Sequence, residues 1–180
     1  MRRLSLAPLL LAVMATPAGA QVVIEMTPQR VDQAIATGIE RKPAAYALRT
    51  KYLWMEFDTP FLRVSERAAT APSADRSIAT AELLAPELRI VAAAEPLGDD
   101  VLAIKKVLVE RADGATVAPK SQESFVDYAQ SARRKKIAIR GVRAVFPLAA
   151  LEPGARFRFL MSDGKEQILA PEPGWFKAPR

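Results

Sequence analysis

The sequence predicts a mainly β fold, an antiparallel β-sandwich of immunoglobulin-like type with one or two α-helices at its N-terminal side. Three observations carry this. Short extended runs rich in apolar and β-branched residues recur at spacings of about ten residues through the second half of the chain. Two Asp-Gly pairs, Asp113-Gly114 and Asp163-Gly164, stand where tight hairpin turns belong. Nowhere do strand and helix patterns alternate in the manner that builds a parallel sheet. The chain has 180 residues, 50% of them apolar and 26% charged, which suits one domain with a packed core under a wetted surface.

The first twenty residues stand apart. Arg2 and Arg3 are followed by an apolar run from Leu4 to Met14, and Ala18-Gly19-Ala20 is a small-residue cleavage motif. This three-part pattern predicts a secretory signal peptide over 1–20, cleaved after Ala20, and a periplasmic or secreted protein. Removing two arginines lowers the net charge from +6 to +4. No later run approaches the roughly 18 apolar residues of a membrane-spanning helix. The expected organisation is a signal peptide and then a single globular domain over 21–180. Within it a helical part lies at about 27–85, a sandwich part at about 86–170 and a Pro-rich tail at 171–180.

In the helical part, Thr27-Pro28 supplies a hydroxyl N-cap and a proline at the first helical position. Val31, Ile35 and Ile39 then repeat every four residues beside Ala34, predicting a helix from about 28 to 40, weakened by Gly38 and stopped by Pro43. From Tyr46 to Phe57 the aromatics fall at period two, as in one strand with Tyr46, Leu48, Tyr52 and Trp54 on one side and Leu53, Met55 and Phe57 on the other. Thr59-Pro60 repeats the capping signal, and Phe61, Leu62, Val64, Arg67 and Ala68 fit a helical face, although a strand through Phe61–Val64 matches nearly as well.

In the sandwich part, Leu88 to Ala92 reads as a strand with Arg89 outward, and Pro96 to Asp100 as a turn. Val101–Glu110, rich in β-branched residues but with Lys105-Lys106 interrupting both parities so that a helix also fits, and Thr116–Ala118 flank the first Asp-Gly turn, which favours a hairpin. Ile137–Phe146 is a strand pattern with a bend at Gly141. Arg156–Met161 alternates cleanly, Phe157, Phe159 and Met161 against Arg156 and Arg158, and leads through the second Asp-Gly turn to Gln167–Ala170.

The composition narrows the chemistry. Without cysteine there are no disulfides, thiolate nucleophiles or thiolate metal sites; without histidine there is no imidazole base and no imidazole ligand. Carboxylates, lysine, tyrosine and hydroxyls remain. No Gly-rich phosphate loop, G-x-S-x-G elbow or S-x-x-K motif is present, Ser121-Gln122-Glu123-Ser124 has no companion motif, and no cofactor is implied.

Four features compete for a role. The run Arg133-Arg134-Lys135-Lys136, with Arg140 and Arg143, is a candidate site for an anionic partner: envelope polysaccharide, a lipid head group or another envelope protein. The plainer explanation is a solvated loop that keeps a sheet edge from pairing. Nucleic acid is not expected, because no aromatic residues interleave with the cations as stacking platforms. The stretch Tyr52–Phe57 is either a sugar-stacking surface or core. Glu56, Asp58, Asp99 and Asp100 are the acids from which a two-carboxylate hydrolase would be assembled, although turn chemistry accounts for them too. Trp175 and Phe176, between prolines, are either a docking peptide or packed on the sandwich.

Three segments in order, Thr59-Pro60-Phe61-Leu62-Arg63-Val64, Ala85-Pro86-Glu87-Leu88 and Ala144-Val145-Phe146-Pro147-Leu148, resemble an uncharacterised family of exported bacterial proteins. The resemblance implies export and one globular domain and brings no activity or site residue with it. The functional expectation is therefore a non-enzymatic binding or interaction module of the bacterial envelope. A His-free, glycosidase-like hydrolase and an assembly factor acting by β-strand pairing are the alternatives. Acids converging in a cleft would weaken the first; a long unpaired edge near the basic run would favour the last.

Overall fold

A computed structural model of the chain describes residues 25–40, 46–94, 102–130 and 136–172. The signal-peptide pattern, Asp99 and Asp100, and Trp175 and Phe176 lie outside them. The described residues form two antiparallel sheets and a small helical layer.

Helix α1 (Pro28–Ile39) begins where the sequence predicts, with the Thr27 hydroxyl accepting from the Arg30 N–H at 3.3 Å. Helix α2 (Pro60–Thr70) starts the same way on Thr59, whose hydroxyl accepts from the Leu62 N–H; the second Thr-Pro pair thus resolves the helix–strand ambiguity in favour of helix. The two helices bury Val31, Ala34, Ile35, Val64 and Ala68 as a core of their own. Gly38 is the point of closest approach. A Cβ there would stand 2.1 Å from the Ser65 carbonyl oxygen and 2.7 Å from the Ala68 Cβ. The Ser65 hydroxyl donates to the Ala34 carbonyl at 2.9 Å across the same crossing. The glycine that weakens α1 by propensity is what lets α2 reach it.

The aromatic stretch is a hairpin and not one strand: β1 (Tyr46–Arg49) turns back into β2 (Leu53–Asp58). Thr50 makes the turn, its hydroxyl oxygen accepting from the N–H groups of Tyr52 and Leu53 at 3.2 and 3.1 Å. Folding back sets Tyr46 opposite Phe57 and Leu48 opposite Met55, so residues of opposite parity share one face. The Tyr46 and Phe57 rings stack with centroids 4.9 Å apart. After a short helix α3 (Ala81–Leu84) come β3 (Glu87–Ala94), β4 (Ile104–Glu110), β5 (Thr116–Val117), β6 (Ser121–Gln130), β7 (Lys136–Pro147), β8 (Arg156–Met161) and β9 (Glu166–Leu169).

One sheet has the order β1-β2-β3-β7-β6 and the other β5-β4-β8-β9. Both Asp-Gly pairs make their turns, with Gly114 at φ 84° and Gly164 at φ 82°. Met55, Phe57, Ile90, Ala144 and Phe146 of the first sheet pack with Val107, Val109, Phe157, Phe159 and Met161 of the second, each removed from water. Burying such side chains contributes roughly 1.5–3 kcal/mol apiece. The sandwich therefore draws two strands from the segment between the first two helices. Strand β7 runs through Gly141 without interruption. β6 carries no strand signature in the sequence, because most of its described side chains are exposed and alternation is left without a buried side to mark it.

At one edge a side chain of the first sheet bonds to the backbone of the second. The Gln122 amide of β6 accepts from the Val107 N–H through Oε1 and donates to the Lys105 carbonyl through Nε2, both at 3.0 Å. It occupies the edge of β4 as one residue of a neighbouring strand would.

The three segments behind the family resemblance meet at the end of the five-stranded sheet where the helices attach. Arg63, 5% exposed, donates to the carbonyls of Leu83 (3.1 Å), Ala85 (2.7 Å) and Glu87 (3.3 Å). The Leu148 N–H donates to the Pro86 carbonyl at 3.0 Å, and Leu88 pairs with Phe146. These motifs build a junction between helices and sheet.

Candidate functional site

Strand alternation gives the five-stranded sheet a second, outer face turned away from the sandwich core. Register aligns Ala47, Glu56, Val91, Arg143 and Glu123 in one row across it. Asp58, Arg89, Val145 and Ser121 form the next row toward the helices, and Arg49, Trp54, Ala93, Gly141 and Phe125 the row on the other side. A cavity of about 540 Å³ opens on this face beside α2. Glu56, Asp58, Glu66, Glu123, Arg89 and Arg143 line it, with Val91 and Val145 among the apolar lining. Its volume lies within the range of small-molecule sites.

Burial acts on two of these acids in the same direction. Burial pushes the Asp58 carboxyl up to about 6, against the opposing pull of the Arg63 charge. Arg63 Nη1 stands 3.6 Å from Asp58 Oδ2, while Oδ1 is shielded from solvent and accepts no hydrogen bond. Burial, and then the charge of Glu56, raises Glu66 above the ordinary range. Glu56, two residues from Asp58 on the same face, is exposed. Strand geometry separates the two backbone positions by roughly 6.5–7 Å. A carboxyl raised by burial, next to a second, exposed acid, is an arrangement general acid–base chemistry uses.

The Arg143 guanidinium lies 4.5 Å from the Phe125 ring centre. That ring reaches over Gly141, where a Cβ would come within 2.4 Å of Phe125 Cζ. Gly141 thus provides room for an aromatic cover and makes no bend in the strand.

The basic residues singled out from the sequence do not converge here. Arg133, Arg134 and Lys135 lie outside the described residues, and Lys136 opens β7 with only its backbone described. Arg140 pairs with Val126, whereas Arg143 pairs with Glu123. Their odd spacing on an unbroken strand puts them on opposite faces, and only Arg143 enters the cavity. Of the acids, the structure brings Glu56 and Asp58 together. Glu66, Arg89 and Glu123 went unselected in the sequence; the outward parity of Arg89 on β3 was the one available signal. The aromatic stretch divides: Leu53, Met55 and Phe57 are core, Trp54 is half-buried on the outer face, and Tyr52 is 36% exposed at the hairpin turn.

Among the described residues no group of three or more acids is placed to hold a metal ion, and no helix is long and apolar enough to cross a membrane. Comparison with protein-family models, with curated proteins and with solved structures gave no match.

Proposed function

We propose that the chain is an exported binding module of the bacterial cell envelope, and that it takes its ligand in the cavity on the outer face of the five-stranded sheet. The observation that carries this is the mixed-charge wall of that cavity, four carboxyl groups and two guanidinium groups beside apolar Val91 and Val145. Such a wall offers directed hydrogen bonds of both polarities while disfavouring a strongly anionic guest, which suits a neutral, hydroxyl-rich ligand such as a sugar unit of an envelope polysaccharide. The test is a nuclear magnetic resonance titration with neutral and acidic oligosaccharides. Shifts at Val91, Arg143 and Val145 with neutral sugars, lost in E56Q and R143Q, support the reading. Shifts confined to other faces overturn it.

Glu56 and Asp58 share one cleft, which weakens a purely non-enzymatic reading and favours a second, a His-free hydrolase in which Asp58 serves as general acid and Glu56 as its partner carboxylate. Its support is the shielded, unpartnered Oδ1 beside an exposed acid in one cavity. Hydrolysis of a glycan panel that D58N and E56Q each abolish, with binding retained, would select this reading over simple binding.

The strand-pairing alternative has its own support: β6, ten residues long, ends the five-stranded sheet, and among the described residues no strand pairs with its outer side.

A further inference from the structure

Four strands end the two sheets among the described residues. β1 and β9 have four residues each and β5 has two, but β6 has ten. Proteins ordinarily keep an exposed edge from pairing by shortness, lysine, proline or a bulge. β6 carries no lysine, arginine or proline, and its pairing with β7 runs without a bulge from Ser121 with Val145 to Gln130 with Lys136. β3 accompanies β7 only as far as Gly141; beyond it β6 and β7 continue as two strands that no third joins among the described residues. A two-stranded ribbon alone is marginally stable in water. On this stretch Val126 and Tyr128 are each 57% exposed, on the same side of β6 as Gln122.

We propose that β6 pairs with β6 of a second copy of this chain, antiparallel about a two-fold axis at Val126, so that two five-stranded sheets become one. A two-fold axis makes one edge complementary to itself, and backbone hydrogen bonds supply the contact. The copy's strand is then the third strand that the two-stranded stretch lacks.

Charge fixes the position of the axis. β6 has two charged residues, Glu123 and Asp127. With Phe125 on the axis, Glu123 would stand opposite Asp127 of the copy; with Asp127 on it, Asp127 would oppose itself. Like charges directly opposite are destabilising. An axis nearer either end matches a shorter stretch of strand. With Val126 on the axis, pairing runs from Gln122 to Gln130. Val126 then meets Val126 of the copy, Tyr128 meets Ser124, and Phe125 meets Asp127. The last pair brings a carboxylate toward a cation. The Arg143 guanidinium lies 4.5 Å from the Phe125 ring centre, and neither it nor Asp127 has an ion pair among the described residues. Arg143 also lines the cavity, so Asp127 of the copy approaches the cavity rim. A strand of another protein would use the same backbone groups; the match of Asp127 with Arg143 is particular to a second copy. The inference does not depend on what occupies the cavity.

The experiment is sedimentation equilibrium of the protein, isolated from bacteria able to export it and with its N-terminus read by mass, over a wide range of concentration. Every variant shares that N-terminus, so differences report β6. A monomer–dimer equilibrium is expected. V126K, which sets two ammonium groups face to face, should raise the dissociation constant at least tenfold. D127R should raise it severalfold, and adding R143D to D127R should restore most of that loss, with the circular dichroism spectrum unchanged throughout. Because the chain has no cysteine, single cysteines report the register independently and decide the matter if V126K fails to fold. Directly opposed residues of an antiparallel pair stand about 4.5–5.5 Å apart at Cα, within disulfide reach, whereas Ser124 would lie roughly 14 Å from Ser124 of the copy. Under mild oxidation V126C should therefore form a covalent dimer, as should S124C mixed with Y128C, while S124C alone and Q33C, on α1, stay monomeric. A parent protein that is monomeric throughout overturns the proposal, as does dimerisation unchanged in V126K or in D127R. So does cross-linking of S124C alone or of Q33C that equals that of V126C.

Discussion

Arg63 Nη2 donates to the Ala85 carbonyl at 2.7 Å, and this contact spans two of the three sequence segments that carry the family resemblance. The guanidinium fork also reaches Leu83 and Glu87, so one side chain satisfies carbonyls of α3 and of the start of β3. Replacing Arg63 with Ala leaves those carbonyls and the Asp58 carboxylate unpaired. The expected loss is about 3–5 kcal/mol in denaturant unfolding. Arg63→Lys should recover only a minor part, because an ammonium cannot match a planar fork. A loss below about 1 kcal/mol would show that water serves those carbonyls equally well.

Asp58 predicts a pH dependence with a definite sign. Its carboxyl has a folded value of about 6 against an ordinary 3.8, so the folded state holds the proton over a range where the unfolded chain has released it. Its contribution is therefore most favourable below about pH 4 and declines as pH rises through 6. The shift corresponds to roughly 3 kcal/mol at its upper limit. Asp32, Asp75, Glu152 and Asp163, held low by hydrogen bonds to Arg76, Ser77, Arg111 and the Lys165 N–H respectively, act in the opposite sense. The measurement is thus the difference between wild type and D58N across pH 4 to 7. Carbon-detected titration of the Asp58 carboxyl should have its midpoint near 6; a midpoint near 4 would contradict the burial argument.

Gln122 should matter more than its partly exposed position suggests. Gln122→Leu removes two hydrogen bonds to β4 at once, an expected loss of about 2 kcal/mol. Amide exchange at Val107 should accelerate in the variant while exchange at Phe159, deep in the core, changes only with global stability.

At the helix crossing, Gly38→Ala should destabilise despite alanine's better helix propensity, worth about 1 kcal/mol. The added Cβ would meet backbone at 2.1 Å, and backbone cannot rotate away. A net loss of about 1–3 kcal/mol is expected from the enforced separation. Equal or greater stability by thermal unfolding would mean that α1 shifts freely on α2.

The sheet fold was legible wherever one side of an element is buried. The alternation at Arg156–Met161 and the two Asp-Gly turns are local signals, and both correspond to observed elements. β6 was illegible for the complementary reason: with solvent around most of its side chains, only its pairing to β7 makes it a strand. The hairpin at Thr50 was missed because polar Thr50 and Lys51 interrupt the aromatic run too briefly to break a period-two count. For the candidate site, Glu56 and Asp58 were visible as neighbouring acids. Their meeting with Glu66, Arg89 and Arg143 depends on tertiary register, which no local pattern encodes. The basic run was conspicuous as composition, yet composition does not say that Arg140 and Arg143 face apart.

Strand β3 is flanked by β2, close in sequence, and by β7, whose Pro147 lies opposite Glu87. As the polypeptide leaves the ribosome, β3 is left with one bare margin until that distant segment has been synthesised. Such long-range closure is slow. Until it arrives, the backbone donors and acceptors along that margin stay open to water and to other chains.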